Sequence, residues 1–248
     1  NSTFLSRGSR KLQPDSTFLE QSSLGWQHNG GISFNSKIFK YFRTNQNFQF
    51  SELWVPEYLE YSFVDSLNDA LPDTIQQFKA RHTFNYNIGA ATTVYGLFET
   101  PFLPVKVIRH KMDPSVSFSF SPDFTNPSYG YVQTFTDTLG REITKDHFTG
   151  NPFGGTPSGE SRRMNISVSN LFQGKVIRDG EEKKIDLFTL NLSTSHNFLA
   201  DSLKWADLQS NLRASASRNF DFSMTTTHSF YKTGRTGRGR RDEFVWND

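Results

Sequence analysis

Cysteine is absent from the 248 residues, which removes disulfide scaffolds, thiolate metal sites and cysteine nucleophiles together. Long apolar runs are absent as well. No stretch of about 18 apolar residues occurs, so no transmembrane helix is expected. An excess of one charge is lacking, since 27 Lys and Arg stand against 25 Asp and Glu. The resulting +2 gives no global field to favour nucleic acid or an acidic substrate. Leu, Ala, Glu and Lys, which build long helices, do not dominate. No signal peptide or initial methionine is present, and the last residues, Glu243–Trp246, are strand-like. Both termini therefore read as truncated, and residues 1-248 as a single partial β domain.

Catalytic patterns are equally scarce. There is no G-x-S-x-G, P-loop or calcium-loop pattern. His28, His82, His110, His147, His196 and His228 are scattered, with no H-x-x-x-H spacing, and read as structural or interfacial. The acidic pairs Glu181-Glu182 and Asp242-Glu243 fall in apparent turns and read as solvated charges. The expectation is no enzyme, with no catalytic residue, no cofactor and no metal.

What is present is phenylalanine, 25 residues of it, on a background of Ser, Thr and Asn. From Phe78 to Phe98 the chain alternates strictly. Phe78, Phe84, Tyr86, Ile88, Val94 and Phe98 fall on one parity; Lys79, Arg81, Thr83, Asn85 and Asn87 fall on the other. Successive strand side chains point to opposite faces, so this predicts one ribbon with a greasy side and a wet side. Strands of soluble domains run about 5–6 residues, whereas a tilted strand crossing a bilayer needs about 9–11.

The same alternation recurs at Trp26–Phe34, with a ribbon through Phe48 and Phe50. The apolar parity then moves to Leu53, Val55, Leu59, Tyr61 and Phe63, which predicts a bulge or bend near Ser51. The first 20 residues read as a loop, and Asp65–Gln77 as a polar linker with a turn at Pro72-Asp73. Pro101 and Pro104 break the long ribbon, after which Val116, Phe118 and Phe120 alternate with serines. Residues 122-161 form a long interruption with four prolines and six glycines, holding a small hairpin over Tyr131–His147 that turns at Leu139-Gly140. A meander follows, with turns at Asp179-Gly180, Ala200–Lys204 and Arg218-Asn219. About eight to ten strands result, with long connections at one end and tight turns at the other. The fold class is all-β, an antiparallel meander forming part of a large transmembrane outer-membrane β-barrel.

Two side-chain groups stand out. Lys232, Arg235, Arg238, Arg240 and Arg241 lie among glycines. They read as a flexible charged loop or as a contact for lipid phosphates; RNA binding is set aside because no aromatic stacking surface surrounds them. Trp26, Trp54, Tyr58, Tyr61, Tyr86, Tyr95 and Trp205 are candidates for aromatic belts at the headgroup level, the alternative being an ordinary sandwich core.

Three stretches carry a resemblance. Arg109–Phe124 (RHKMDPSVSFSFSPDF), Leu190–Trp205 (LNLSTSHNFLADSLKW) and Phe153–Gly159 (FGGTPSG) resemble the lipopolysaccharide-assembly family LptD, the organic-solvent-tolerance proteins, in its divergent branch. The resemblance implies the C-terminal barrel of a protein that inserts lipopolysaccharide into the outer leaflet through an opening between its first and last strands. It further implies outer-membrane lipids, a lipoprotein plug and periplasmic bridge proteins as partners, and no nucleic acid. No plug-contact or gate residue is transferable. The rivals are a porin or TonB-dependent receptor barrel, a secreted β-sandwich carbohydrate-binding module, and an outer-membrane hydrolase whose serine and histidine meet through loops.

Overall fold

The computed structural model describes residues 1–12, 18–100, 107–178, 181–217, 220–234 and 239–246. In chain order the strands are β1 (Ser2–Leu12), β2 (Phe18–Ile38), β3 (Phe42–Val55), β4 (Tyr58–Val64), β5 (Asp69–Ile75), β6 (Lys79–Ala91), β7 (Val94–Glu99) and β8 (Val107–Ser121). They continue as β9 (Val132–Thr136), β10 (Glu142–Asp146), β11 (Ser161–Arg178), β12 (Glu181–Asn197), β13 (Leu208–Ser217), β14 (Phe220–His228), β15 (Tyr231–Thr233) and β16 (Arg240–Phe244). Apart from one 3-10 turn at Pro127–Tyr129, the described residues form no helix. The chain is all-β and antiparallel. Its main sheet has ten strands in the order β1-β2-β3-β6-β8-β11-β12-β13-β14, with β7 also on β8; β1 and β14 are its edges, so the sheet does not close on itself among the described residues. Three two-stranded sheets stand beside it, β4 with β5, β9 with β10 and β15 with β16.

The chain divides into two compact units. The first comprises residues 1–32, 47–86 and 121–161. The opening segment, expected as a loop, is here strand β1, paired with β2 from Ser2 opposite His28 to Leu12 opposite Phe18. An edge strand pairs through its backbone, so a polar composition does not forbid it. The expected linker, Asp65–Gln77, holds the turn and second strand of the β4–β5 hairpin; the turn lies at residues 65–68, where Asn68 N–H donates to the Asp65 carbonyl. Pro72 is no turn; it sits mid-strand opposite Tyr61, which a two-stranded edge tolerates. The hairpin expected within 122–161 is β9–β10, with Gly140 left-handed at φ 78° in its turn.

These two hairpins dock on one another. The Gln133 carboxamide acts as a strand rung, its oxygen accepting from Tyr61 N–H at 2.7 Å. Leu59 N–H donates to the His147 carbonyl at 2.9 Å, and Lys145 pairs with Asp69 at 2.8 Å. The docked block covers Leu53 and Val55, which are buried with Phe124, Tyr131 and Phe148. This cover explains the parity change at Ser51 without a bend. Phe50 lies over Gly30, and Trp54 packs on His28 at 4.4 Å, so one face keeps its apolar register on both sides of Ser51. Leu53 and Val55 belong to the opposite, otherwise polar, parity and are apolar because the block sits on them.

The second unit comprises residues 33–46, 87–120 and 162–248. Here the long ribbon is chipped. β7 pairs with β8 from Val94 opposite Met112 to Glu99 opposite Val107, and Thr92 N–H donates to the Pro114 carbonyl at 3.1 Å in the same register. Proline has no N–H to return, so the ladder lapses at residues 92–93 and resumes. β11 and β12 pair over almost their whole length, with one register shift between Phe172 and Gln173. The acidic pairs expected in turns lie in strands, at the start of β12 and within β16. Pro101 and Pro104 and the dipeptides Asp179-Gly180 and Arg218-Asn219 lie outside the described residues, the latter two between strands whose last and first residues pair.

Candidate functional site

The sheet has two chemically distinct faces. On β2, β3 and β6 every described large hydrophobic that is exposed carries an even number: Leu24, Trp26, Ile32, Phe34 and Ile38; Phe42, Phe48, Phe50 and Trp54; and Ile88. Ile32 and Phe34 are 67% and 60% exposed. Phe78, Val116, Phe222 and Met224 share this parity, while Tyr95 and Leu97 on β7 depart from it. Exposed apolar side chains standing singly are ordinary on a protein surface, but several on one parity of adjacent strands are the pattern of an interaction face.

The odd-numbered face is polar, with charged groups such as Arg43, Lys111 and Asp113 among its carboxamides and hydroxyls. In the first unit Asn29, Gln49, Ser51, Thr83, Asn85 and Ser121 line a cleft of about 710 Å³, walled on one side by Phe124 and Pro157. Gln27 donates to the Ser51 hydroxyl at 2.9 Å, and the Thr83 hydroxyl to the Ser51 carbonyl at 3.4 Å. Such a lining hydrogen-bonds water or sugar hydroxyls without attracting either charge.

The block beside the cleft is fastened at named points. Tyr131 Oη accepts from His82 N–H at 2.8 Å and donates to the His82 carbonyl at 3.0 Å, closing one rung of β6. Asp146 accepts from Phe148 N–H, Thr156 N–H and the Thr156 hydroxyl. The buried Arg81 donates to the Gly154 carbonyl at 3.3 Å and lies over the Phe148 ring at 4.9 Å. His147 Nδ1–H donates to the Leu59 carbonyl at 2.6 Å. Burial holds this imidazole below its ordinary range, and the bond to Leu59 offsets only part of that. The Asp123 and Asp137 carboxyls are held low by hydrogen bonds from Thr125 and Arg141. Composition and spacing gave no sign of this block's core. The one signal was the apolar pair Leu53 and Val55 on a polar parity.

The belt candidates fall into different places. Trp26 and Trp54 are exposed on the apolar face, Trp26 packing on Phe4 and Trp54 on His28 and Phe78. The Trp54 indole N–H donates to Glu52 at 2.7 Å. Tyr58 and Tyr61 lie on β4, off the main sheet. Tyr61 is buried with its hydroxyl on the Asp146 carbonyl, and Tyr58 packs on His147 beneath Lys79. Tyr86 is half-buried. In the second unit, Tyr95 is exposed with Arg109 over its ring at 4.6 Å, and the half-buried Trp205 packs on His196.

Of the basic cluster, Arg235 and Arg238 lie outside the described residues. Arg240 pairs with Asp207 at 2.7 Å and Arg241 with Glu243, while Lys232 lies on β15. The ground for setting RNA aside is corrected: aromatic rings do surround this hairpin, with the half-buried Phe230 and Phe244 and the exposed Trp246 packed together and Tyr231 buried against Phe244. A serine and a histidine do meet, Ser2 Oγ and His28 Nδ1 at 2.8 Å, but on paired strands; the buried His28 Nε2 has no partner, so no third group orients the imidazole as a triad requires. Among the described residues no three His, Asp or Glu side chains cluster to hold a metal ion, and no helix is long and apolar enough to cross a membrane.

No curated protein and no solved structure matches the chain. The model of one protein family does, the one described as LptD protein, over residues 1–231. With two chemically opposed faces on long antiparallel strands and a match across nearly its whole length, this chain belongs to the LptD protein family.

Proposed function

We propose that this chain is part of an outer-membrane β-barrel that delivers lipopolysaccharide to the outer leaflet, and that it does so without catalysis. The observation that carries the reading is the uncovered even-numbered apolar face of β2 and β3, strands of 21 and 14 residues, which Ile88 extends onto β6. A strand of about 9–11 residues suffices to cross a bilayer, so these can present apolar side chains to lipid over the full thickness. The polar face then lines water, where the saccharide part of an amphipathic lipid keeps its hydrogen bonds. Membership of the LptD family supports lipopolysaccharide as the substrate. Nothing in the geometry supplies energy, so movement of the lipid depends on other components, among them the expected bridge proteins and lipoprotein plug.

The test is fractionation of the protein in its native bacterium, tagged within residues 122–161, with heat-modifiability on a gel and surface lipopolysaccharide scored after depletion. Outer-membrane location with loss of surface lipopolysaccharide is expected. Outer-membrane location with normal lipopolysaccharide would favour a porin or receptor. A soluble, detergent-independent protein would sink the barrel reading.

A further inference from the structure

Two titratable side chains interrupt the apolar face of the first unit. Glu52 lies near the end of β3 and His82 near the start of β6, both on the even parity. Their side chains keep 29% and 66% exposure, and His82 Nδ1 stands 3.5 Å from Glu52 Oε1. The same oxygen accepts from the Trp54 indole N–H at 2.7 Å. Among the described residues Glu52 Oε2 has no hydrogen-bond partner, and His82 is the carboxylate's one ion-pair partner. Neighbouring groups hold the trio in place. His28 packs edge-on against Trp54 at 4.4 Å and bonds Ser2 Oγ at 2.8 Å, while Phe78 meets the indole at 6.1 Å. Tyr131 ties both backbone groups of His82. A charge on a lipid-facing parity is costly in hydrocarbon and cheap near the interface. Glu52 therefore marks the level where lipid tails give way to headgroups, and its open oxygen calls for a cation.

We propose that Glu52, His82 and Trp54 hold the phosphoethanolamine headgroup of a membrane phospholipid, a reading that rests on the membrane assignment above. The primary ammonium donates to Glu52 Oε2 beside the indole, whose ring attracts a cation in its own right. The phosphate, two carbons and an ester oxygen away, comes to the exposed His82 ring. With Nδ1–H turned to Glu52, Nε2–H of the imidazolium meets the phosphate. An acid and a base 3.5 Å apart thus match the two charges of a zwitterion. Other occupants fit less well. A quaternary choline has no N–H to give the carboxylate. A glycerol headgroup brings a negative charge and no cation. A metal ion lacks ligands, because no three His, Asp or Glu side chains cluster among the described residues.

The experiment titrates phosphatidylethanolamine, phosphatidylcholine and phosphatidylglycerol of identical acyl chains into the delipidated, detergent-purified protein from its own membranes. Bound lipid is counted by native mass spectrometry. Phosphatidylethanolamine is expected to bind about tenfold more tightly than either other lipid. Glu52→Gln, which keeps an acceptor for the indole N–H, is expected to bring the three lipids level. His82→Ala is expected to narrow the preference severalfold. Equal binding of the three lipids by the unaltered protein would overturn the proposal, and needs no variant to fold. So would an unchanged preference in either variant with heat-modifiability intact. Failure of the membrane reading shows separately, as a protein that needs no detergent.

Discussion

One phenol hydroxyl, beside the Arg81 contacts, helps to fasten the block of β4, β5, β9 and β10 to the rim of β6. Tyr131 satisfies both the N–H and the carbonyl of His82, groups that a strand edge otherwise leaves bare. Tyr131→Phe is expected to cost about 1–3 kcal/mol of block stability, because a backbone pair loses its partner. Amide exchange at His82 and proteolysis within 122–160 should both quicken while heat-modifiability is unchanged. His147 gives the block a pH dependence of defined sign. Its folded imidazole resists protonation, with Lys79 adding to the burial and Glu60 and Asp146 opposing it. The unfolded segment therefore takes the proton first as pH falls below the ordinary 6.5. Stability is complete above that value and declines below it; His147→Gln should flatten the decline in a pH series of proteolysis rates. Asp123 and Asp137 act in a separate window, with stability present above their ordinary 3.8 and lost as pH falls below it.

At the level of elements, the ribbon read from Phe78 to Phe98 shows how far alternation can be trusted. It marked the 13-residue β6 as a long strand, but it read one unbroken ribbon where β7 is a separate strand, and on β7 Tyr95 and Leu97 are exposed together with Val94 and Phe98. It could not foretell the lapse at Thr92, which arises from Pro114 on the neighbouring strand, a residue outside the ribbon. Pro114→Ala should restore the missing donor and yield a protected amide at that position. The net stability change should stay under about 1 kcal/mol, since the proline's restraint on the unfolded chain is lost at the same time. The candidate site was half legible. Trp26 and Trp54, named as aromatic residues of long strands, are exposed on the apolar face, although the parity read beyond Ser51 would have put Trp54 on the other side. Tyr61 is buried, because β4 shares the pattern of a main-sheet strand while pairing with β5. The Pro72-Asp73 turn was misread for a related reason: whether a proline ends a strand or sits in one depends on whether its missing N–H would have faced a partner.

For the molecule as a whole, the uncovered apolar face makes the environment part of the structure. In β2, Phe34→Arg should cost about 2–4 kcal/mol in a bilayer, whereas Asn35→Arg on the polar parity should be tolerated. Heat-modifiability of the two variants, extracted side by side, distinguishes them. β1 was unreadable as a strand because its few apolar residues, Phe4, Leu5 and Leu12, do not alternate, and the docked block was unreadable because its core is assembled from segments far apart in sequence.

That separation also sets a sequence in time. The β4–β5 and β9–β10 hairpins are local and can form by themselves, since each closes a short turn. The bonds that join them link residues 72, 85 and 88 positions apart. β6, β7 and β8 lie between, and loop closure over such a span is slow until intervening strands have drawn its ends together. The block should therefore be the last part of its unit to close, and protection of the Leu59 and Tyr61 amides, which donate across the two hairpins, would serve as a clock for completed assembly.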